Sequence, residues 1–389
     1  MFDFCVNGGG LIGAATALGL VRQGYTVALL EPQVPDSFEE NQPPDLRLSA
    51  FSVASTQLLD SLGAWTRIPE SRIRAYDRLS VWENNGARTD FDAAMLDTDR
   101  LGYFVENRLV QSACLAAIKA HNNGANLTLF SDKPEKIIFN QPHGAHVVLN
   151  ADITVQCRWV IGADGANSLV RRQAGIGVSG WQYGQQALGI VVKLATPAAG
   201  WTWQAFHTSG PRAFLPMYDT YGSFIWYDDP ATIKSLSQLD DNALTQRIKK
   251  AFPGHAGDFK IVKKAAFPLT RMHAQQYIKH QAVLLGDAAH TINPLAGQGV
   301  NIGYKDVKAF LALTDVHRSP QSLSEGLKMS YEPQRRRDNL AMMSAMDGLY
   351  WLFSNDNPPL KWLRNQLLSV AQNALPAKRH VLKYAMGIQ

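Results

Sequence analysis

The sequence predicts an α/β fold: a parallel, doubly wound unit interleaved with an antiparallel β-sheet domain, then a helical C-terminal region. Three observations predict it. A short apolar strand at 2–6, a glycine turn at 8–10, a helix at 11–23 closed by Gly24 and a second strand at 26–30 make a βαβ start. A block over 185–230 sets Trp201, Trp203, Phe206, Phe214, Tyr218, Phe224, Trp226 and Tyr227 at mostly alternating spacing, as in antiparallel strands. From about 321 onward the pattern is helical, broken at Pro358-Pro359 and at Pro376.

The other elements follow in order. Residues 32–45 carry prolines and acidic residues without periodicity and read as a loop before a helix at 53–62. Strands at 78–83 and 88–91 flank Asn84-Asn85-Gly86, a hairpin signal. A helix covers 107–121, and short strands follow at 126–130, 136–140, 146–150 and 153–161. A strand at 282–285 leads through a Gly-Asp turn into a helix at 299–313. The aromatic β block thus lies between pieces of one nucleotide-binding unit. The expected division is 1–75, 105–180 and 271–320 for that unit, 76–104 and 181–270 for the β-sheet domain, and 321–389 for the helical region.

Composition narrows the class. A chain of 389 residues with 46% hydrophobic and 18% charged residues supports a large core and excludes compositional disorder. The charge of +5 is scattered apart from Arg335-Arg336-Arg337, which fits an anionic membrane surface or a phosphate-bearing cofactor and gives no indication of nucleic acid. Cys5, Cys114 and Cys157 are far apart and lack metal-binding spacing, which argues for a reducing compartment and no structural zinc. The longest apolar run, 11–21, is too short to span a bilayer, and no positive region precedes it as in a signal peptide. A cytoplasmic chain is expected.

Gly8-Gly9-Gly10-Leu11-Ile12-Gly13 matches GxGxxG between a strand and a helix, with Glu31 ending the next strand. Gly8 makes the tight turn, Gly10 lets backbone N–H groups approach a pyrophosphate at the helix N-terminus, and Gly13 lets helix and strand pack closely. Glu31 would accept from an adenosine ribose with a free 2′-hydroxyl, which favours FAD or NAD over NADP. The unit is therefore Rossmann-like. Gly175-Ile176-Gly177-Val178-Ser179-Gly180 also fits the pattern, but no helix follows it, and a loop is expected there.

Two further segments are rich in site chemistry. Gly162-Ala163-Asp164-Gly165-Ala166-Asn167-Ser168, with Arg171, follows a strand; Asp164 either binds a ligand or caps the helix after it. In the stretch 286–301, Asp287 ends a strand and can hold a ribityl hydroxyl, while Gly297 to Asn301 offer N–H groups at a helix start, suited to negative charge on a reduced flavin. His290 invites a role as base, although its place in a turn beside two alanines suits a structural hydrogen bond better.

The motifs GxGxxG, GADGxxSxxR and GDAAHxxxPxxGQGxN, in this order, resemble the single-component FAD-dependent aromatic hydroxylases typified by p-hydroxybenzoate hydroxylase. Details at 45–50, 181–183, 211–216, 267–271 and 292–301 resemble the ubiquinone-biosynthesis branch. The resemblance implies one FAD, with NAD(P)H and O2 as co-substrates and a C4a-hydroperoxyflavin that hydroxylates a polyprenyl benzoquinol ring. A different ring position of a polyprenylphenol, or a flavin-bound non-catalytic member of the biosynthetic assembly, is the alternative. It implies that Gly8, Gly10, Gly13 and Glu31 hold the ADP half, that Arg47 lies near the flavin and its pyrophosphate, and that Asp164 belongs to a dual FAD/NAD(P)H motif. Asp287 would hold the ribityl chain, and Pro294, Gly297, Gly299, Val300 and Asn301 would face the isoalloxazine. Asn107 stands near the flavin where relatives carry Arg or Gln, and Asn7 stands where a small residue is usual. The flavin carries the chemistry, so no catalytic side chain is assigned. The aromatic block would line the substrate face of the flavin, with more than half of its rings serving simply as sheet core.

A long-tailed substrate implies a membrane. Residues 340–389 combine Trp351, Leu352, Phe353, Leu360, Trp362, Leu363, Leu367 and Leu368 with Lys361, Arg364, Lys378, Arg379 and Lys383. This face suits peripheral contact at the inner face of the cell membrane. It equally suits packing on the protein body, on a second subunit of a homo-oligomer or on other ubiquinone-biosynthesis proteins.

Overall fold

The computed structural model describes residues 1–83, 86–121, 124–150, 152–253, 257–293, 297–355 and 357–387. At its centre, strand Phe2–Asn7 pairs in parallel with Val27–Leu30 on one side and Thr154–Gly162 on the other. Leu127–Phe130 and Ala282–Leu284 extend this sheet in parallel. A hairpin of Lys136–Gln141 and Gly144–Val148 joins it antiparallel to Thr154–Gly162. Val27–Leu30 is an unbroken apolar run because a covered parallel strand is buried on both faces.

Helix Leu11–Arg22 is buried continuously from Gly13 to Val21, which explains why it has no polar face. It lies against helix Gly299–Val316. A Cβ on Gly19 would fall 2.2 Å from the Leu311 side chain, so the two helices approach only because residue 19 is glycine. This contact joins residues nearly 300 positions apart into one core, together with Phe4, Leu29, Val160, Val283 and Phe310.

The second sheet runs in the order His290–Thr291, Phe259–Ala274, Val178–Leu194, Tyr221–Asp228, Arg212–Pro216, Trp201–Phe206, Arg78–Glu83, Arg88–Asp92. Its pairs are antiparallel except Trp201–Phe206 with Arg78–Glu83. One face, carrying Leu188, Ile190, Trp203, Phe214, Phe224 and Trp226, is covered by helices Pro230–Gln238 and Asp241–Ala251 through Ile233, Leu244 and Ile248. The period-two pleat sends Ala187, Tyr227 and Leu269 to the other face. Six of the eight aromatic residues singled out in the sequence are buried, and four of those form the helix-covered core. Helix Glu332–Phe353 meets that second face through Tyr350, against Tyr183, and through Phe353, stacked on Phe206.

The decoy glycine stretch contains the turn at Gly175 and the start of strand Val178–Leu194, with no helix after it. A small third sheet, Leu48–Ser52, Gly102–Glu106 and Arg74–Tyr76, brings the loop after residue 31 back to the body.

The C-terminal region folds as Pro320–Gly326, Glu332–Phe353, Pro358–Asn373 and Leu375–Met386. Pro358 and Pro376 stand in the first turns of helices, where a fixed φ is favourable and no N–H is needed. Pro376 therefore marks a helix start rather than an interruption. Buried Arg364 pairs with Glu83, and Thr89 Oγ1 donates to Leu368 O at 2.9 Å, so one face of these helices is fixed on the hairpin. Trp351 and Trp362 are 67% and 66% exposed, and Leu367, Val381, Lys361, Arg379 and Lys383 are exposed as well, Arg379 Nε donating to Met95 O. The side chains of Leu360 and Leu363 lie outside the described residues. Among the described residues, no helix is long and apolar enough to cross a membrane.

Candidate active site

The three glycine-bearing motifs meet at the C-terminal edge of the parallel sheet. Gly8 has φ +95°, and a Cβ there would fall 2.5 Å from Ala163 O; a Cβ on Gly13 would fall 1.7 Å from Gly8 O. Both positions demand glycine. Gly10 is different: a Cβ there would meet nothing within 4 Å, and no side chain caps the helix it begins. Its N-terminal amides thus face open space, as an anion site requires. Glu31 lies beside this turn, its Oε2 accepting from Gly9 N at 2.8 Å and its Oε1 from Gln33 N at 2.8 Å. Each oxygen keeps a second lone pair.

Asp164 serves as the capping alternative requires: its Oδ2 accepts from Leu169 N at 2.7 Å and Val170 N at 3.3 Å at the start of helix Leu169–Gln173. The same oxygen accepts from Asn7 Nδ2 at 2.7 Å. Its other oxygen, Oδ1, is buried without a partner. Arg171 donates to Ala288 O at 2.8 Å and ties this motif to the third.

In the third motif, Asp287 reaches solvent yet is crowded by protein. Desolvation raises its pKa, against the opposing pull of His290 and Arg47. Arg47 and Asn107 are held together, since Asn107 N donates to Arg47 O at 2.9 Å. Asn107 Oδ1 is buried and unpartnered.

Helix Gly299–Val316 begins without a side-chain cap. Gly297, at φ +62°, packs 3.2 Å from Ala50 if given a Cβ, so the loop runs hard against the third sheet. Asn301 is fully committed within the protein. Its Oδ1 accepts from Ser52 N and Ser55 Oγ, and its Nδ2 donates to Ala50 O and Gly297 O. Its side chain fixes the helix start, leaving its backbone N–H for a ligand. Gly299 and Val300 occupy the first two positions of that helix, and Pro294 lies outside the described residues.

His290 has the structural hydrogen bond expected of it. Its Nε2 meets Asp306 Oδ2 at 2.5 Å; that oxygen also accepts from Gly286 N at 3.1 Å, and Asp306 Oδ1 accepts from Arg335 Nε at 2.7 Å. All three side chains are buried. Burial alone would raise the Asp306 pKa, but His290 and Arg335 outweigh it and hold it below the ordinary value. Asp306 was not singled out in the sequence, and Arg335 only as part of a charge run. Arg335 stands in a run of three arginines that read as surface charge, and no local pattern marks the one that turns inward.

The residues present fit FAD. Free amides at two helix starts suit the pyrophosphate and a flavin carbonyl, while the unpartnered acceptors on Asp164 and Asn107, with Asp287, suit hydroxyl groups.

The FAD binding domain family matches residues 1–343. The chain is 42% identical to the 3-demethoxyubiquinol 3-hydroxylase of Escherichia coli strain K12, covering 99% of this chain and 98% of that one. It is 32% identical to the ubiquinone hydroxylase UbiL of Rhodospirillum rubrum, over 99% of this chain and 89% of that one. The crystal structure of p-nitrophenol 4-monooxygenase PnpA from Pseudomonas putida DLL-E4 superposes with a TM-score of 0.79 at 20% identity, over 100% and 99% of the two chains, a likeness of fold. The chain belongs to the FAD binding domain family and is an FAD-dependent monooxygenase.

Proposed function

We propose that the enzyme hydroxylates the ring of a polyprenyl benzoquinol in ubiquinone biosynthesis, with NAD(P)H and O2 as co-substrates. The observation that carries this reading is the 42% identity, over nearly the full length of both chains, to a protein named for hydroxylation of demethoxyubiquinol. Bound FAD supplies the electron transfer from NAD(P)H and the activation of O2; the chain supplies position and exclusion of water.

In this reading Gly8, whose N–H donates to Leu30 O, and Gly13 shape the turn that brings Gly10 and the amides at the helix start to the pyrophosphate, and Glu31 receives the ribose. Arg47 neutralises charge near Asp287, which takes a ribityl hydroxyl, and Asp164 Oδ1 and Asn107 accept from hydroxyl groups of the same cofactor. The amides at Gly297, Gly299, Val300 and Asn301 stabilise negative charge on the ring system, with Pro294 beside them. The quinol enters on the face of the second sheet that carries Tyr183 and Tyr227, against helix Glu332–Phe353. A quinol is already electron-rich, so no strong base is needed. Segments 1–75, 105–180 and 271–320 make the cofactor body, and 76–104 with 181–270 the substrate body. The exposed face around Trp351 and Trp362 rests on the membrane that holds the polyprenyl tail.

The test is turnover of a short-tailed demethoxyubiquinol by FAD-loaded protein with NADH or NADPH, with the product identified by mass and by ring-proton NMR. Hydroxylation at the vacant ring carbon supports the reading. Cofactor oxidation that yields only hydrogen peroxide overturns it.

A further inference from the structure

Asn293 is 1% exposed, and neither its Oδ1 nor its Nδ2 has a hydrogen-bonding partner. Leaving both ends of a buried amide unpaired is destabilising, and native cores avoid it. The group lies in the loop between His290 and the helix start at Gly299 and is turned as a donor toward the Tyr183 hydroxyl, whose pKa it pulls down, without reaching hydrogen-bond geometry. Ile292, its neighbour, packs with Phe206, Ile302 and Met342 on the side of the second sheet that meets helix Glu332–Phe353.

Tyr183 is held firmly. Its hydroxyl donates to Asp347 Oδ1 at 2.5 Å, and Arg271 Nε donates to Asp347 Oδ2 at 3.0 Å. The Arg271 guanidinium in turn lies 4.4 Å from the centre of the Trp181 ring. Burial, and then Asp347, push the Tyr183 pKa upward, so the hydroxyl keeps its proton and directs it to Asp347. What remains on Tyr183 is an oxygen able to accept, with Asn293 the protein donor turned toward it. Tyr227, Leu269 and Tyr350 form apolar walls around it.

We propose that Asn293 and Tyr183 form the recognition site for the oxygen substituents of the substrate ring. Asn293 offers a donor and an acceptor side by side, and Tyr183 adds an acceptor. The complement is an aromatic ring bearing a hydroxyl next to an ether or hydroxyl oxygen. The hydroxyl donates to Asn293 Oδ1 or Tyr183 Oη, and the neighbouring oxygen accepts from Asn293 Nδ2. Asp347 and Arg271 are positioning residues for Tyr183, which gives helix Glu332–Phe353 a part in the site. The assignment rests on the quinol reading and adds to it which residues select the ring.

The test uses Asn293→Leu, which keeps the volume and removes both polar ends, in FAD-loaded full-length protein. Binding of a short-tailed methoxybenzoquinol, and of its analogue without the methoxy group, is followed by the perturbation of the flavin absorbance. Wild type is expected to prefer the methoxy compound. Asn293→Leu should keep its FAD, melt at the same temperature or higher, and bind the methoxy compound on the order of tenfold more weakly, with the preference lost. A group with only a structural role would instead lower the melting temperature and leave the preference intact, which overturns the proposal. Should Asn293→Leu lose FAD, Tyr183→Phe is measured in its place; unchanged affinity for the methoxy compound overturns the proposal. Wild-type turnover with unchanged discrimination in both variants removes this site alone. Failure of wild type to bind either quinol removes the quinol reading with it.

Discussion

The side-chain amide of Asn7 donates to Asp164 Oδ2 at 2.7 Å and so fastens the first glycine turn to the second motif. The departure from a small residue at position 7 is a compensated one. Asp164 then holds Leu169 N and Val170 N with the same oxygen and leaves Oδ1 free.

Asn7→Ala should therefore lower stability by about 1.5 to 3 kcal/mol, the range for a hydrogen bond to a charged acceptor. Asn7→Asp should be worse, since it sets two carboxylates in contact. Urea unfolding of FAD-loaded protein measures both; equal stability of Asn7→Asp and wild type would refute the link.

Asp306 joins the Gly286-Asp287 turn to His290 and to Arg335 of the C-terminal region. Asp306→Ala strands a buried arginine and should cost about 3 to 5 kcal/mol, with weaker FAD binding because the turn loses its tether. His290→Ala should lower stability while keeping a substantial part of the turnover per bound flavin. Loss of hydroxylation with flavin reduction intact in that variant would make His290 the base.

These contrasts mark what the sequence could disclose. Gly8, Gly13 and Glu31 were legible because their geometry is local: a strand, a turn and a helix within 30 residues. Asp306 and Arg335 were not, because the network joins Asp306 to His290, 16 residues back in a short strand, and to Arg335, 29 residues on in a different helix. Strand Phe259–Ala274 escaped notice because its lysines and Pro268 interrupt any apolar alternation, and the amphipathic helices at 230–251 were hidden beside the aromatic block they cover. Asn293 reads as an ordinary loop residue until burial shows both its polar ends unpaired.

Acid should destabilise the fold in a defined window. Burial, then the nearby charge of His290, lowers the His273 pKa to about 4, and burial, then Arg212, lowers that of His207 to about 4. Unfolded histidine titrates near 6.5, so the unfolded chain binds more protons between those values. Stability is full above pH ~6.5, falls as pH drops toward about 4, and gains no further loss from these groups below that. His273→Gln should flatten this slope in melting temperature against pH; an unchanged slope would assign it to other groups.

Trp351→Ser combined with Trp362→Ser should weaken binding to anionic liposomes and lower activity on a long-tailed quinol, while FAD content and activity on a short-tailed quinol persist. Added salt should weaken liposome binding of wild type, because part of the attraction is electrostatic. If the double variant dissociates into smaller species and wild type ignores liposomes, the exposed face is a subunit interface.

The most direct measurement of the central claim is the source of the new ring oxygen. Purified, FAD-loaded protein given NAD(P)H, a short-tailed demethoxyubiquinol and oxygen-18 gas should yield a hydroxylated quinol carrying one heavy oxygen atom on its ring. A hydroxylated product without heavy oxygen, or consumption of NAD(P)H with no change in the quinol, would contradict the account.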